Sequence, residues 1–226
     1  NEHYGEFNGV RLCWFERHPE RRHEGTVLLV HATGFHARCW DAVVRGLGER
    51  HVIALDMRGH GRSQNEGPYG WDVFGEDVAA FLTQLDLRGV TAVGHSFGGY
   101  AVTYAAHECP DRIDRLVLVD PVILESAAYE STLHERWLTD GGEHPVARRR
   151  NQFANAQAMY ENYDGKGSFG LWRDSVLRSY CDHGLQPAED GEGYVLACPP
   201  SVEAAIYMGT SGNSIHHMLP NVRQPA

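Results

Sequence analysis

Four apolar runs recur in the first half of the chain: TVLLVHA (26–32), HVIALD (51–56), GVTAVGH (89–95) and RIDRLVLVDP (112–121). The first two are apolar on both faces, as strands buried inside a sheet are. Between the runs lie stretches with apolar residues at helical spacing: Trp40, Val43, Val44 and Leu47; then 72–86; then 97–109, which Pro110 ends. Strand–helix alternation of this kind leaves few topologies. Right-handed crossovers make the strands parallel and place helices on both faces. Two further strands, 2–7 and 10–17, precede them. Asn8-Gly9 joins these as a hairpin, since both residues tolerate positive φ. The expected fold class is therefore α/β, a mostly parallel sheet with an N-terminal antiparallel hairpin.

After Pro121 the pattern changes. Segments 123–139, 146–163 and 171–182 read as helices, and no strand of comparable strength follows. Cys198-Pro199-Pro200-Ser201 stops one element, and Ser201 is placed to cap a helix over 202–208. The chain divides into a core over 1–121, a helical cap over 122–220 inserted after the sixth strand, and the start of a returning core strand over 221–226.

A net charge of −10 disfavours a nucleic-acid partner. The five cysteines are scattered and form no CxxC, which argues against a disulfide framework or zinc site and for a reducing, cytoplasmic compartment. No apolar run approaches the roughly 18 residues of a membrane span, and no signal peptide is visible. HExxH, P-loop and EF-hand spacings are missing too, so no metal or phosphate-loop chemistry is expected; no cofactor is expected, and the expected partner is a small-molecule substrate.

The chemistry centres on GHSFGG at 94–99. Ser96 follows a strand and precedes a helix, with Gly94 and Gly98 two residues to either side. A strand turning sharply into a helix holds such a serine at a strained φ/ψ and brings the flanking positions so close that a Cβ would clash. The serine then stands exposed at the carboxyl end of the sheet, at the positive end of a helix.

With HATGF at 31–35, DMRGHGRS at 56–63 and GHSFGG at 94–99, the chain resembles the α/β-hydrolase fold family, in particular its capped serine hydrolases. The resemblance runs over essentially the whole chain. It implies Ser96 as nucleophile and an oxyanion hole made by the backbone N–H groups of Phe35 and Phe97. HATGF departs from the commoner His-Gly-x opening, which leaves Gly34 and Thr33 as alternatives for the first donor. His31 is implied to orient the oxyanion loop, and Asp56 and Arg58 to tie down the loop that follows their strand. Phe35 and Phe97 also flank the nucleophile as candidate substrate-binding walls.

Asp120, at the end of the strand 112–120, is the candidate triad acid; the alternative is a structural carboxylate in the Asp120-Pro121 turn. No histidine is assignable as the base. His107 sits eleven residues into the helix after Ser96, about 16 Å along it. His134, His144 and His183 fall in the cap, and His216 and His217 near the end. In the family the base follows the eighth strand, so the chain, which starts at Asn1, reads as a fragment lacking the last two strands, with little turnover of its own. Gly165–Gly170 matches G-x-G-x-x-G but follows a helix rather than a strand, against a dinucleotide site. Arg148, Arg149 and Arg150 read as a solvated face. The expected activity is ester hydrolysis through an acyl-enzyme on Ser96. The alternatives are C–C bond hydrolysis by the same serine and a non-catalytic ligand-binding protein.

Overall fold

The structure, a computed structural model, describes residues 1–125, 144–210 and 212–226. Strands β1 (Glu2–Phe7) and β2 (Val10–Arg17) form the hairpin, with Asn8 and Gly9 at φ 46° and 73°. Strands β3 (Thr26–Val30), β4 (His51–Asp56), β5 (Val90–His95) and β6 (Ile113–Val119) complete a six-stranded sheet in the order β1-β2-β4-β3-β5-β6. β2 meets β4 antiparallel, and the β4-β3-β5-β6 block is parallel throughout.

The period of two within each strand decides which helix covers which face. Leu28 and Val30 of β3 and Ile53 and Leu55 of β4 pack with helices α2 (Trp71–Gln84) and α3 (Phe97–Glu108). Leu29, Val52 and Ala54 point the other way, onto Ala37 and onto Val44 of the short helix α1 (Asp41–Gly46). Both faces of these strands are therefore covered, which is why 27–30 and 52–55 are apolar without a break. β6 is covered on one side only: Leu116 is buried, while Val117 and Val119 are 41% and 44% exposed. Along its outer edge the Leu116 N–H donates to the Pro225 carbonyl at 2.9 Å. That bond is what the structure gives for residues 221–226 as a returning strand.

The segment after β6 differs from the helical expectation. Besides helices α4 (Ala156–Tyr163), α5 (Asp174–His183) and α6 (Pro200–Met208), it holds a small antiparallel sheet ordered β7-β9-β8, from β7 (Gln152–Phe153), β8 (Leu185–Pro187) and β9 (Tyr194–Leu196). Strands of two or three residues are too short to show a period. The single helix expected over 146–163 is in fact a 3-10 turn (Pro145–Arg148), β7, and then α4, which Asn155 caps by accepting from the Ala158 N–H at 2.9 Å. Ser201 sits inside the first turn of α6 rather than capping it, because Pro200, which needs no N–H partner, opens that helix. The helix read over 123–139 lies largely outside the described residues.

Candidate active site

Ser96 stands between β5 and α3 with φ 52° and ψ −116°, a conformation that an L-residue holds only under constraint. The constraint is visible. Its N–H donates to Val119 O at 2.9 Å, and its carbonyl accepts from Gly99 and Val122 at 2.9 and 3.0 Å. A Cβ on Gly94 would run into the Gly98 carbonyl, and one on Gly98 into the Val30 carbonyl, so both positions require glycine. The Ser96 side chain makes no capping bond to α3 and lies half-buried at the carboxyl edge of the sheet.

The loop after β3 is held from the core by two histidines. His31 Nε2 accepts the Met57 N–H at 3.0 Å, and its Nδ1 donates to Ala32 O at 2.8 Å. His60 Nε2 accepts the Gly34 N–H at 3.0 Å, and its Nδ1 donates to Arg58 O at 2.8 Å. Each ring must be neutral with its proton on Nδ1. Burial enforces this, depressing His31 well below the usual histidine range and His60 to about 4. His31 thus orients the loop, as the resemblance implies. His60, inside DMRGHGRS, does the same from the loop after β4.

This bonding corrects one expected donor. The Phe35 N–H is already engaged with Ala32 O at 3.1 Å, closing a turn, and the Gly34 N–H with His60. Among the described residues, the N–H of Thr33, in the turn, and that of Phe97, at the first position of α3, make no hydrogen bond. The Phe97 side chain is likewise not a pocket wall: it is 1% exposed, its ring 4.9 Å from Trp71 and 4.8 Å from Phe74 inside the core. Phe35 does reach a pocket. With Trp40 and His95 of the core, and Trp172, Arg173 and Val176 from the segment after β6, it borders an apolar cavity of about 280 Å³. Phe35 meets Trp172 edge-on at 5.2 Å.

DMRGHGRS carries structure, as expected. Buried Asp56 accepts from the N–H groups of Ala37 at 2.6 Å and Arg62 at 2.9 Å, and burial raises its carboxyl to about 6. Arg58 grips Asp77 of α2 through two bonds of 2.8 and 2.7 Å and also reaches the Asn8 carbonyl at the hairpin tip.

Asp120 lies exposed at the end of β6 with φ 45°, and its charge opposes the desolvation that lowers His95 beside Ser96. Among the described residues no histidine is bonded to Ser96. His107 lies along α3 within 3.9 Å of Glu108, His144 stacks on Tyr207, His183 ends α5 near His36, His216 meets the Leu124 carbonyl, and His217 is exposed. His134 lies outside the described residues. Gly165–Gly170 follows α4 and runs into a 3-10 turn, away from any strand–helix crossover. The arginine triplet is not wholly solvated. Arg149 turns inward to an ion pair with Glu203 of α6, which is 5% exposed and which sequence reasoning did not single out.

A sequence model of the alpha/beta hydrolase family matches residues 27–220. Over 100 residues, 43% of its length, the chain is 38% identical to lipase LipV of Mycobacterium tuberculosis, the match taking in 37% of that protein. Over 139 residues, 60% of its length, it is 34% identical to esterase Rv0045c of the same organism, taking in 44% of it. The chain thus spans less than half the length of these curated relatives. The solved structure of E-2-(acetamidomethylene)succinate hydrolase superposes on all of the chain and on 78% of its own, with a TM-score of 0.77 and 19% identity.

Proposed function

Because this chain belongs to the alpha/beta hydrolase family, we propose that it is part of a cofactor-independent serine hydrolase acting on carboxylic esters, with Ser96 as the nucleophile. The strained backbone of Ser96 at the strand–helix turn carries this reading, and the lipase- and esterase-named relatives agree with it. In the proposed reaction Ser96 Oγ attacks the acyl carbon as its proton passes to a base. The tetrahedral oxyanion collapses, expelling the alcohol, which takes up that proton. Water then attacks the acyl-enzyme, releasing the acid and restoring the serine.

The oxyanion would be met by the N–H groups of Thr33 and Phe97, neither of which is spent on another acceptor. Losing one such donor typically lowers kcat by about 10²–10³. The cavity beside Phe35 would take the apolar acyl or alcohol group, under a roof supplied by Trp172, Arg173 and Val176. Asp120 is the proposed acid, whose role is to orient a histidine. No helix among the described residues is long and apolar enough to cross a membrane. All five cysteines are free, in line with the proposed cytoplasmic location.

The histidines of the described residues, none bonded to Ser96, favour a second reading: a binding protein that keeps the pocket without turnover. A fluorophosphonate probe separates the two. Covalent labelling of the intact gene product, abolished in Ser96→Ala, is the outcome expected of the hydrolase; a folded protein that stays unlabelled is the binding protein.

A further inference from the structure

The segment after β6 touches the oxyanion loop at consecutive residues, and one side chain gathers those contacts. The Glu203 carboxylate lies against Gly34, which sits at φ 76°; a Cβ there would come within 2.5 Å of Glu203 Oε1. Tyr180 of α5 meets the Phe35 ring edge-on at 5.7 Å and stacks on His36 at 5.8 Å, and its carbonyl accepts from His36 Nε2 at 3.1 Å. Arg149 ties the two together. It pairs with Glu203 and donates to the hydroxyls of Tyr180 at 2.9 Å and Tyr163 at 3.0 Å. The guanidinium thus spans α4, α5 and α6, directly above residues 34–36. Its planar fork can satisfy three acceptors at once, which an ammonium on a flexible stem does not do in a fixed geometry.

We propose that Arg149 is a positioning residue: through Glu203 and Tyr180 it presses the cap onto Gly34, Phe35 and His36 and so fixes the Thr33 N–H where an oxyanion forms. The loop is then clamped between the neutral His31–His60 pair on the core side and the Arg149 hub on the cap side. The proposal rests on the reading of Ser96 as nucleophile and of Thr33 as donor. A misplacement of the order of 1 Å at such a group costs about 10²-fold in rate.

The test compares Arg149→Met, Arg149→Lys and the milder Tyr163→Phe in the intact gene product. Hydrogen exchange over residues 31–37 is followed alongside p-nitrophenyl ester kinetics. In Arg149→Met the exchange over 31–37 is expected to quicken while β3 and β5 stay protected. kcat is expected to fall about 10- to 100-fold with KM within twofold. Arg149→Lys, which keeps the Glu203 contact alone, recovers part of both. Unchanged exchange and unchanged kcat in a folded Arg149→Met overturn the proposal, as does a loss confined to KM. If Arg149→Met does not fold, Tyr163→Phe carries the test: a smaller loss in kcat and a smaller gain in exchange support the clamp, and no change in either overturns it. A wild-type protein without Ser96-dependent turnover sinks the hydrolase reading instead, and the exchange measurement still decides the clamp.

Discussion

At Ser96 the backbone stores strain that the surrounding hydrogen bonds maintain. An outlier of this kind costs about 1–3 kcal/mol, and glycine, free of the Cβ penalty, gives back roughly 0.5–1 kcal/mol of it as lost chain entropy. Ser96→Gly should therefore be more stable than Ser96→Ala by about 1 kcal/mol, measured by urea denaturation, while both lose probe labelling. Equal stabilities would mean that the turn is not strained. The same scale separates legible residues from hidden ones. Ser96, Gly94 and Gly98 could be read because the turn forces their identities over five adjacent positions. Thr33 could not be singled out from Phe35, because which N–H stays free depends on a turn closed by Ala32 and on His60, 26 positions from Gly34.

Among the elements, the loop after β4 is a fastening rather than a site. Arg58 and Asp77, 3% and 2% exposed, pin that loop to α2, and Asn8 adds the hairpin tip through its carbonyl and a 2.9 Å bond from its side-chain amide to Asp77. Removing one partner of a buried pair strands the other charge, at a cost of about 3–5 kcal/mol. Asp77→Ala is expected to lose that much in denaturation experiments, and Arg58→Met with Asp77→Ala to recover part of it. A double variant no better than the single would show that the pairing itself, not the stranded arginine, sets the cost. The six sheet strands were legible within a residue or two because each carries its own apolar run and turn signals. The strands β7, β8 and β9 were not: each is too short to carry a local period, and β7 finds its partner β9 only far along the chain, Gln152 opposite Val195.

For the molecule as a whole, buried histidines set the response to acid. His31, His36 and His60 are all depressed by burial, His36 and His60 to about 4. Above pH 6.5 they are neutral whether the chain is folded or not. Below it the unfolded chain takes up protons that the folded one refuses, so stability falls from pH 6.5 towards 4, by on the order of 3 kcal/mol for each of the two held near 4. Asp56 and Glu203, raised by burial, act in the opposite sense, since the folded state binds their protons first as pH falls. His95, His144 and His183 are depressed as well, so the lowered histidines outnumber the two raised carboxylates and leave a net loss. The urea midpoint should drop between pH 7 and 4, and a flat or rising midpoint would refute the assignment of neutral rings. By itself the sequence determined the doubly covered sheet, the hairpin before it and the turn that presents Ser96, because strand period, helix spacing and glycine sterics act between near neighbours. Tertiary structure alone decided that the Phe35 and Gly34 N–H groups are engaged, that Phe97 is core and Phe35 is pocket, and that Arg149 turns inward. Those outcomes rest on contacts between segments far apart in the chain, such as His36 with Tyr180 across 144 positions, and the free energy of such contacts exists only once the core has brought them together.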